Sequence, residues 1–245
     1  MSSAAAVQQR RAGRGLSWRQ FKAILRKDIV MELRTKEMVT SMGIYAMLTL
    51  VIYQVALSQS GAAFDPRRIA AGLLWLAFVF TSMLGLNRSF VHEKDQGCLE
   101  ALLLSPVDRP VIFLAKAIGN LLFLLIVEII MIPFFSFLFL QQGSYQGEFW
   151  MIPLSLLGGS IGIAGVGTML ATMSVNTKGK DFVLAVLFIP LMYPLLLACV
   201  SATTAGVLGG DGHIQQFWTG MAAIGAYDAI MIAAAWALYE FILGA

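Results

Sequence analysis

Apolar residues in this chain fall in long blocks rather than in a two-residue alternation. Six stretches, approximately Val39–Leu57, Ile69–Phe90, Val111–Leu140, Phe149–Met173, Phe182–Thr203 and Phe217–Leu243, are mostly apolar. Each is long enough for a helix of about 20 residues to cross the hydrocarbon of a bilayer. The third is long for one straight span and contains Pro133, which predicts a kink or a broken, partly re-entrant helix. The fifth contains Pro190 and Pro194 and is expected to bend.

Upstream of the first block the pattern changes. Trp18, Phe21, Leu25 and Ile29 recur at three- and four-residue spacing, interleaved with Arg19, Lys22, Arg26, Lys27 and Arg34. This predicts an amphipathic interfacial helix over 17–37, with its apolar face in the acyl boundary and its cations near anionic headgroups. Its apolar period and closeness to a span disfavour a nucleic-acid-binding arm, so no nucleic-acid partner is expected. Residues 1–16 read as a flexible cytosolic extension. The Arg10-Arg11 pair resembles a twin-arginine signal, but the residues after it are amphipathic rather than a cleavable apolar run.

Composition agrees. Of 245 residues, 58% are hydrophobic and 13% charged, where soluble domains carry about 25% charged residues. The fold class expected is an all-α polytopic membrane protein, with 17–245 as one six-span domain. Orientation follows from lysine and arginine. With the N-terminus in the cytosol, 15 of these residues lie inside and only Arg67 and Arg68 outside. Both termini are therefore expected in the cytosol.

The segment "HEKDQGCLEALLLSPVDRP" then falls on the cytosolic side. Leu99, Leu102 and Leu103 share one helical face, Glu100 points elsewhere, and Gly97 precedes the turn. Pro106 disfavours helical geometry at Ser105 and ends the element. Asp108 can N-cap the next helix, with Pro110 in its first turn. A short rigid helix over 93–105, with Glu93 and Asp95 at its start, can pass force between a soluble partner and the two spans it joins. An ordinary connector whose leucines dip into the interface is the plainer alternative.

Other polar features are sparse. Glu128 and Asp228 lie within spans, roughly 26 Å along the helix from Val111 and roughly 16 Å from Phe217. Ionisable groups at such depth are costly and often functional. Either carboxyl can be neutral and bonded across helices, for instance to Asn120, Ser or Thr, or can serve coupling or a substrate path. Gly158 and Gly162 form a small-xxx-small pair that admits close helix packing, within the chain or against a neighbouring subunit. A dinucleotide fingerprint is excluded there because no strand precedes it. Cys98 and Cys199 form no metal or disulfide pattern and read as packing residues. His92 and His213 are the only histidines; a loop histidine such as His213 is a weak haem-ligand candidate beside a merely solvated one. No metal site or catalytic residue is expected. Gly179-Lys180 is followed by Asp181, so no phosphate-binding P-loop is present, and any ATP must be hydrolysed on another chain.

The pattern Glu93, Gly97, Leu99-Glu100, Leu102-Leu103, Ser105-Pro106 and Ala115-Lys116 resembles the second cytosolic segment of ABC-2-type exporter membrane subunits. More closely, "IAAGLLWLAFVFTSMLGLNRSF", "GCLEALLLSPVDRPVIFLAK" and "VLFIPLMYPLLL" resemble the cytochrome c maturation protein B (CcmB) family. The resemblance runs from about Trp18 into the last span. It implies a non-catalytic permease subunit, one half of a dimeric core in the bacterial inner membrane, with Glu93 to Pro106 docking an ABC ATPase (CcmA-like). It further implies a haem-handling membrane protein (CcmC-like), a small single-span protein (CcmD-like) and a haem chaperone (CcmE-like) as partners. No cofactor is expected on this chain itself; ATP belongs to the partner, and haem is handled by the complex. An ABC-2 exporter of another substrate, such as a lipid-linked glycan or drug, and a non-translocating scaffold for a haem-transfer partner are the alternatives.

Overall fold

The computed structural model describes residues 3–59, 66–95, 109–140, 147–174 and 180–242. They form seven α-helices: α1 Ser3–Thr35, α2 Glu37–Ser58, α3 Pro66–Asp95, α4 Arg109–Phe135, α5 Met151–Ser174, α6 Lys180–Leu208 and α7 Asp211–Ile242. Among the described residues there is no strand. Helices α2 to α7 are each long and apolar enough to cross a membrane, and they coincide with the six apolar blocks.

Helix α5 is the most buried of the six and packs against α3, α4, α6 and α7. Its neighbours present Trp75, Phe78, Phe135, Met131, Phe188 and Phe217, all fully buried. In lipid such packing is held by dispersion contacts and interhelical hydrogen bonds, because the surrounding tails are as apolar as the core. The outward faces keep Ile44, Ile52, Ile129, Leu197, Ile230 and Trp236 exposed, as a lipid-facing surface requires.

Several details refine the sequence expectation. Helix α1 begins at Ser3, so 3–16, expected as a flexible extension, are helical. Their alanines, glutamines and arginines are good helix formers, and no proline interrupts them. On α1, Phe21 and Ile24 are buried with Ile112, Phe113 and Ala115 of α4 and Ala235 of α7, while Trp18 of the same stripe remains 58% exposed. Amphipathic spacing says that one face is covered and leaves open by what.

Helix α4 runs through Pro133 without a break. It then loosens into a π-helical turn, Ser136–Leu140. Proline lacks the donor of its own turn and crowds the carbonyl four residues back, and a wider turn just beyond relieves the ladder. Ser136 Oγ donates to the Ile132 carbonyl at 2.7 Å within this region. Helix α6 likewise continues through Pro190 and Pro194, and Tyr227 Oη of α7 donates to the nearby Leu191 carbonyl at 2.8 Å. Finally, α3 extends through Asp95. Glu93 and Asp95, assigned from sequence to the start of a separate short helix, belong to its last turn, since no breaker precedes Gly97.

Two tight turns fix the bundle's corners. Between α1 and α2, Lys36 takes a left-handed conformation with φ 55°, and the Val39 N–H donates to Glu32 Oε1 at 2.9 Å. A carboxylate of α1 thereby caps the start of α2. Between α6 and α7, Gly209 and Gly210 adopt φ 68° and 98°, which residues with a side chain reach only at a cost.

Candidate functional site

Several buried polar groups lie along α4 and its contacts with α1 and α5. Asn120 Nδ2 donates to Thr168 Oγ1 at 2.9 Å, and Ser160 Oγ donates to a Glu128 carboxylate oxygen. The two pairs lie eight residues apart on α4 and eight apart in the opposite sense on α5. They are thus two rungs of one antiparallel register, about 12 Å apart at the helical rise. Glu128 is 4% exposed. Ser160 Oγ also donates to the Leu156 carbonyl of its own helix at 2.9 Å. The hydroxyl is therefore shared between its helix and the carboxyl group.

Nearer the start of α4, Lys116 is 3% exposed and donates from Nζ to Asp28 Oδ2 at 2.8 Å. Lys27 Nζ lies 3.3 Å from the other oxygen of Asp28. This pair ties α1 to α4 one turn before the first rung. A buried cation is tolerated only where an anion meets it, and Asp28 on the inward face of α1 is that anion.

Asp228, on α7, is 8% exposed. Among the described residues its Oδ1 has no hydrogen-bond partner. It faces the backbone of α5 at Gly162, where an added Cβ would collide with Oδ1 and lie 2.8 Å from Leu195 Cδ2. One turn earlier, a Cβ at Gly158 would sit 3.0 Å from Ile224 Cγ2 and 3.5 Å from Met221 Cε. The face of α5 bearing these glycines is covered by α7 and α6 of the same chain. A neighbouring subunit is not what covers them. Close by, Cys199 is buried, and Trp75 Nε1 donates to Thr203 Oγ1 at 2.8 Å, linking α3 to α6.

At the end of the bundle opposite α1, Trp150, Phe217 and Trp218 form an aromatic cluster with centroids 5.1 to 6.4 Å apart. Trp150 Nε1 donates to Glu148 Oε2 at 2.9 Å. An exposed aromatic group with a polar handle suits the bilayer–water boundary. His213 Nδ1 is 3.2 Å from Gln216 Oε1, and Gln216 Nε2 donates to the Ser201 carbonyl and hydroxyl at 3.3 Å each. Among the described residues no three His, Cys, Asp or Glu side chains converge as a metal site.

Gly97, Leu99, Glu100, Leu102, Leu103, Ser105 and Pro106 lie outside the described residues, as do Cys98 and the side chains of Glu93, Asp95 and His92. Their flanks are described: α3 ends at Asp95 and α4 begins at Arg109. Sequence reasoning singled out Glu128, Asp228, Gly158 and Gly162 and paired only the two glycines. Glu128 and Asp228 approach different faces of α5, while Asp228 and Gly162 are direct neighbours. It missed Asp28, Ser160 and Thr168, and it read Lys116 as an orientation marker and part of the family pattern without assigning it a partner. The signal for Lys116 was a lysine inside an apolar run, the same signal that exposed Glu128.

The polar contacts hold α1, α4 and α5 in one register.

Known proteins bear on the same helices. A family model described as CcmB protein matches residues 19–240. Heme exporter protein B of Pseudomonas aeruginosa is 27% identical over 172 residues, covering 67% of this chain and 76% of that protein. Heme exporter protein B of Haemophilus influenzae is 24% identical over 209 residues, 84% and 91% of the two chains. That of Bradyrhizobium diazoefficiens is 25% identical over 187 residues, 76% and 82%.

Proposed function

Because the chain belongs to the CcmB protein family, we propose that it is the membrane subunit of a haem exporter, driven by a separate ABC ATPase in cytochrome c maturation. The observation that carries this reading is the extent of the family match, which takes in nearly all of α2 to α7 and the segment between α3 and α4. The relatives are named for haem export, and that name supplies the activity. This chain has no P-loop, so the nucleotide is hydrolysed on another subunit.

In this reading both termini and segment 96–108 lie in the cytosol, as the distribution of lysine and arginine favours. Leu99, Leu102 and Leu103 seat in the ATPase, with Glu93, Asp95 and Glu100 setting the charge of the docking face. Gly97, Ser105 and Pro106 shape its ends. Closure of the nucleotide sites pushes this segment, and the push enters α3 and α4 as rigid rods. From α4 it passes to α1 through Lys116–Asp28 and to the central helix α5 through the Asn120–Thr168 and Glu128–Ser160 rungs. Two copies of the chain form the core, and the cycle releases haem-loaded chaperone on the periplasmic side with the help of a haem-binding membrane protein and a small single-span partner.

Recovery of the tagged chain in mild detergent tests this. Co-purification of an ABC ATPase and a haem-binding membrane protein is expected. Recovery of an ATPase with a polysaccharide- or drug-export apparatus would replace haem as the substrate, and recovery of no ATPase would refute the coupling.

A further inference from the structure

A groove of about 500 Å³ opens between α1, α2 and α4 at the corner where α1 turns into α2. Its walls are apolar, formed by side chains such as Val39 of α2 and Phe123 and Ile126 of α4, and its polar groups, Glu32, Lys36 and Thr40, come from that one corner. From the geometry we infer that this groove binds one anionic phospholipid of the leaflet on the α1 side, its acyl chain along α4 and its phosphate at Lys36.

Three observations favour this occupant. The groove opens between α1 and the two membrane-spanning helices α2 and α4, and Ile126 and Ile129 on its α4 wall remain 40% and 71% exposed, so lipid tails reach it directly. Its size is that of a small-molecule site, larger than the gap left by a side chain. Its charge is placed at one end, at the level where an interfacial helix meets a span, which is where a phosphate sits. Lys36 is exposed, and its left-handed backbone fixes where its stem departs. The neighbouring carboxylate of Glu32 is engaged through Oε1 by the Val39 N–H. Arg34 and Glu37 flank Lys36 in sequence but do not line the groove. A zwitterionic lipid could fill the walls equally well but would gain less from Lys36.

The purified full-length chain, reconstituted with phosphatidylglycerol or phosphatidylcholine of identical acyl chains, is examined for retained lipid by native mass spectrometry. Phosphatidylglycerol is expected to be retained in preference, and Lys36→Gln to reduce that preference about fivefold, the effect of one lysine near an anionic surface. Ile126→Trp, which fills the groove, is expected to reduce retention of both lipids. Ile52→Trp, at an exposed position of α2 away from the groove, serves as the control and is expected to change neither. An unchanged headgroup preference in Lys36→Gln, or equal losses in Ile126→Trp and Ile52→Trp, would show annular lipid only and overturn the inference.

Discussion

Lys116 on α4 and Asp28 on α1 meet at 2.8 Å although 88 residues separate them in the chain. Lys116 is buried and Asp28 nearly so, so each is the other's compensation for leaving water. Helix α1 is thereby fastened to the helix that starts directly after segment 96–108. Breaking a buried pair from one side costs about 3–5 kcal/mol, because the surviving charge is stranded. Lys116→Met is therefore expected to lower the thermal unfolding midpoint in detergent markedly. Asp28→Asn combined with Lys116→Met should recover much of the loss. A double variant as unstable as the single losses added together would mean that the two residues are not coupled.

Gly162 is expected to tolerate no side chain. Alanine there meets Asp228 Oδ1 and Leu195 Cδ2, and overpacking of this kind costs about 1–3 kcal/mol. At Gly225, on the same helix as Asp228, an added Cβ meets nothing within 4 Å. Thermal melts of Gly162→Ala and Gly225→Ala should therefore separate, with the first destabilised and the second close to the parent. Equal melting would contradict the close approach of α5 to α7.

Glu128 is joined to Ser160 on α5, a contact that needs an acceptor oxygen and no charge. Glutamine retains an acceptor oxygen at the same reach, so Glu128→Gln should change stability by no more than about 1 kcal/mol and leave holo-cytochrome c levels near normal. Loss of cytochrome c maturation with an intact fold would instead assign Glu128 a charge-dependent role in transport.

The spans were legible in the sequence because lipid demands an unbroken apolar helix, and composition alone records that demand. The partners of the polar residues were not. Glu128 announces a buried carboxyl, yet Ser160 is chosen over other hydroxyls by the antiparallel register of α4 and α5, which hydropathy does not encode. Phe21 shows the same gap: its spacing marks a covered face of α1, but protein and lipid leave the same apolar signature. Pro133 marks a weakened ladder correctly, while packing around Phe135 and Phe139, stacked at 5.1 Å, accompanies a π-turn rather than a break.

Within segment 96–108, Leu102→Asp and Glu100→Arg are expected to abolish co-purification of the ATPase while the chain still inserts, as membrane fractionation and span-dependent protease protection would show. Normal ATPase recovery with both variants would remove the docking role from these residues.

Coupling to a cytosolic motor depends most on which compartment segment 96–108 faces, and Cys98 reports it. The other cysteine, Cys199, is buried, so a membrane-impermeant maleimide should read Cys98 with little background, and Cys98→Ser supplies the blank. Labelling in inverted inner-membrane vesicles and protection in intact spheroplasts is the expected result. Labelling of Cys98 from the periplasmic face of spheroplasts would put the segment beyond reach of any cytosolic ATPase and contradict the proposed coupling.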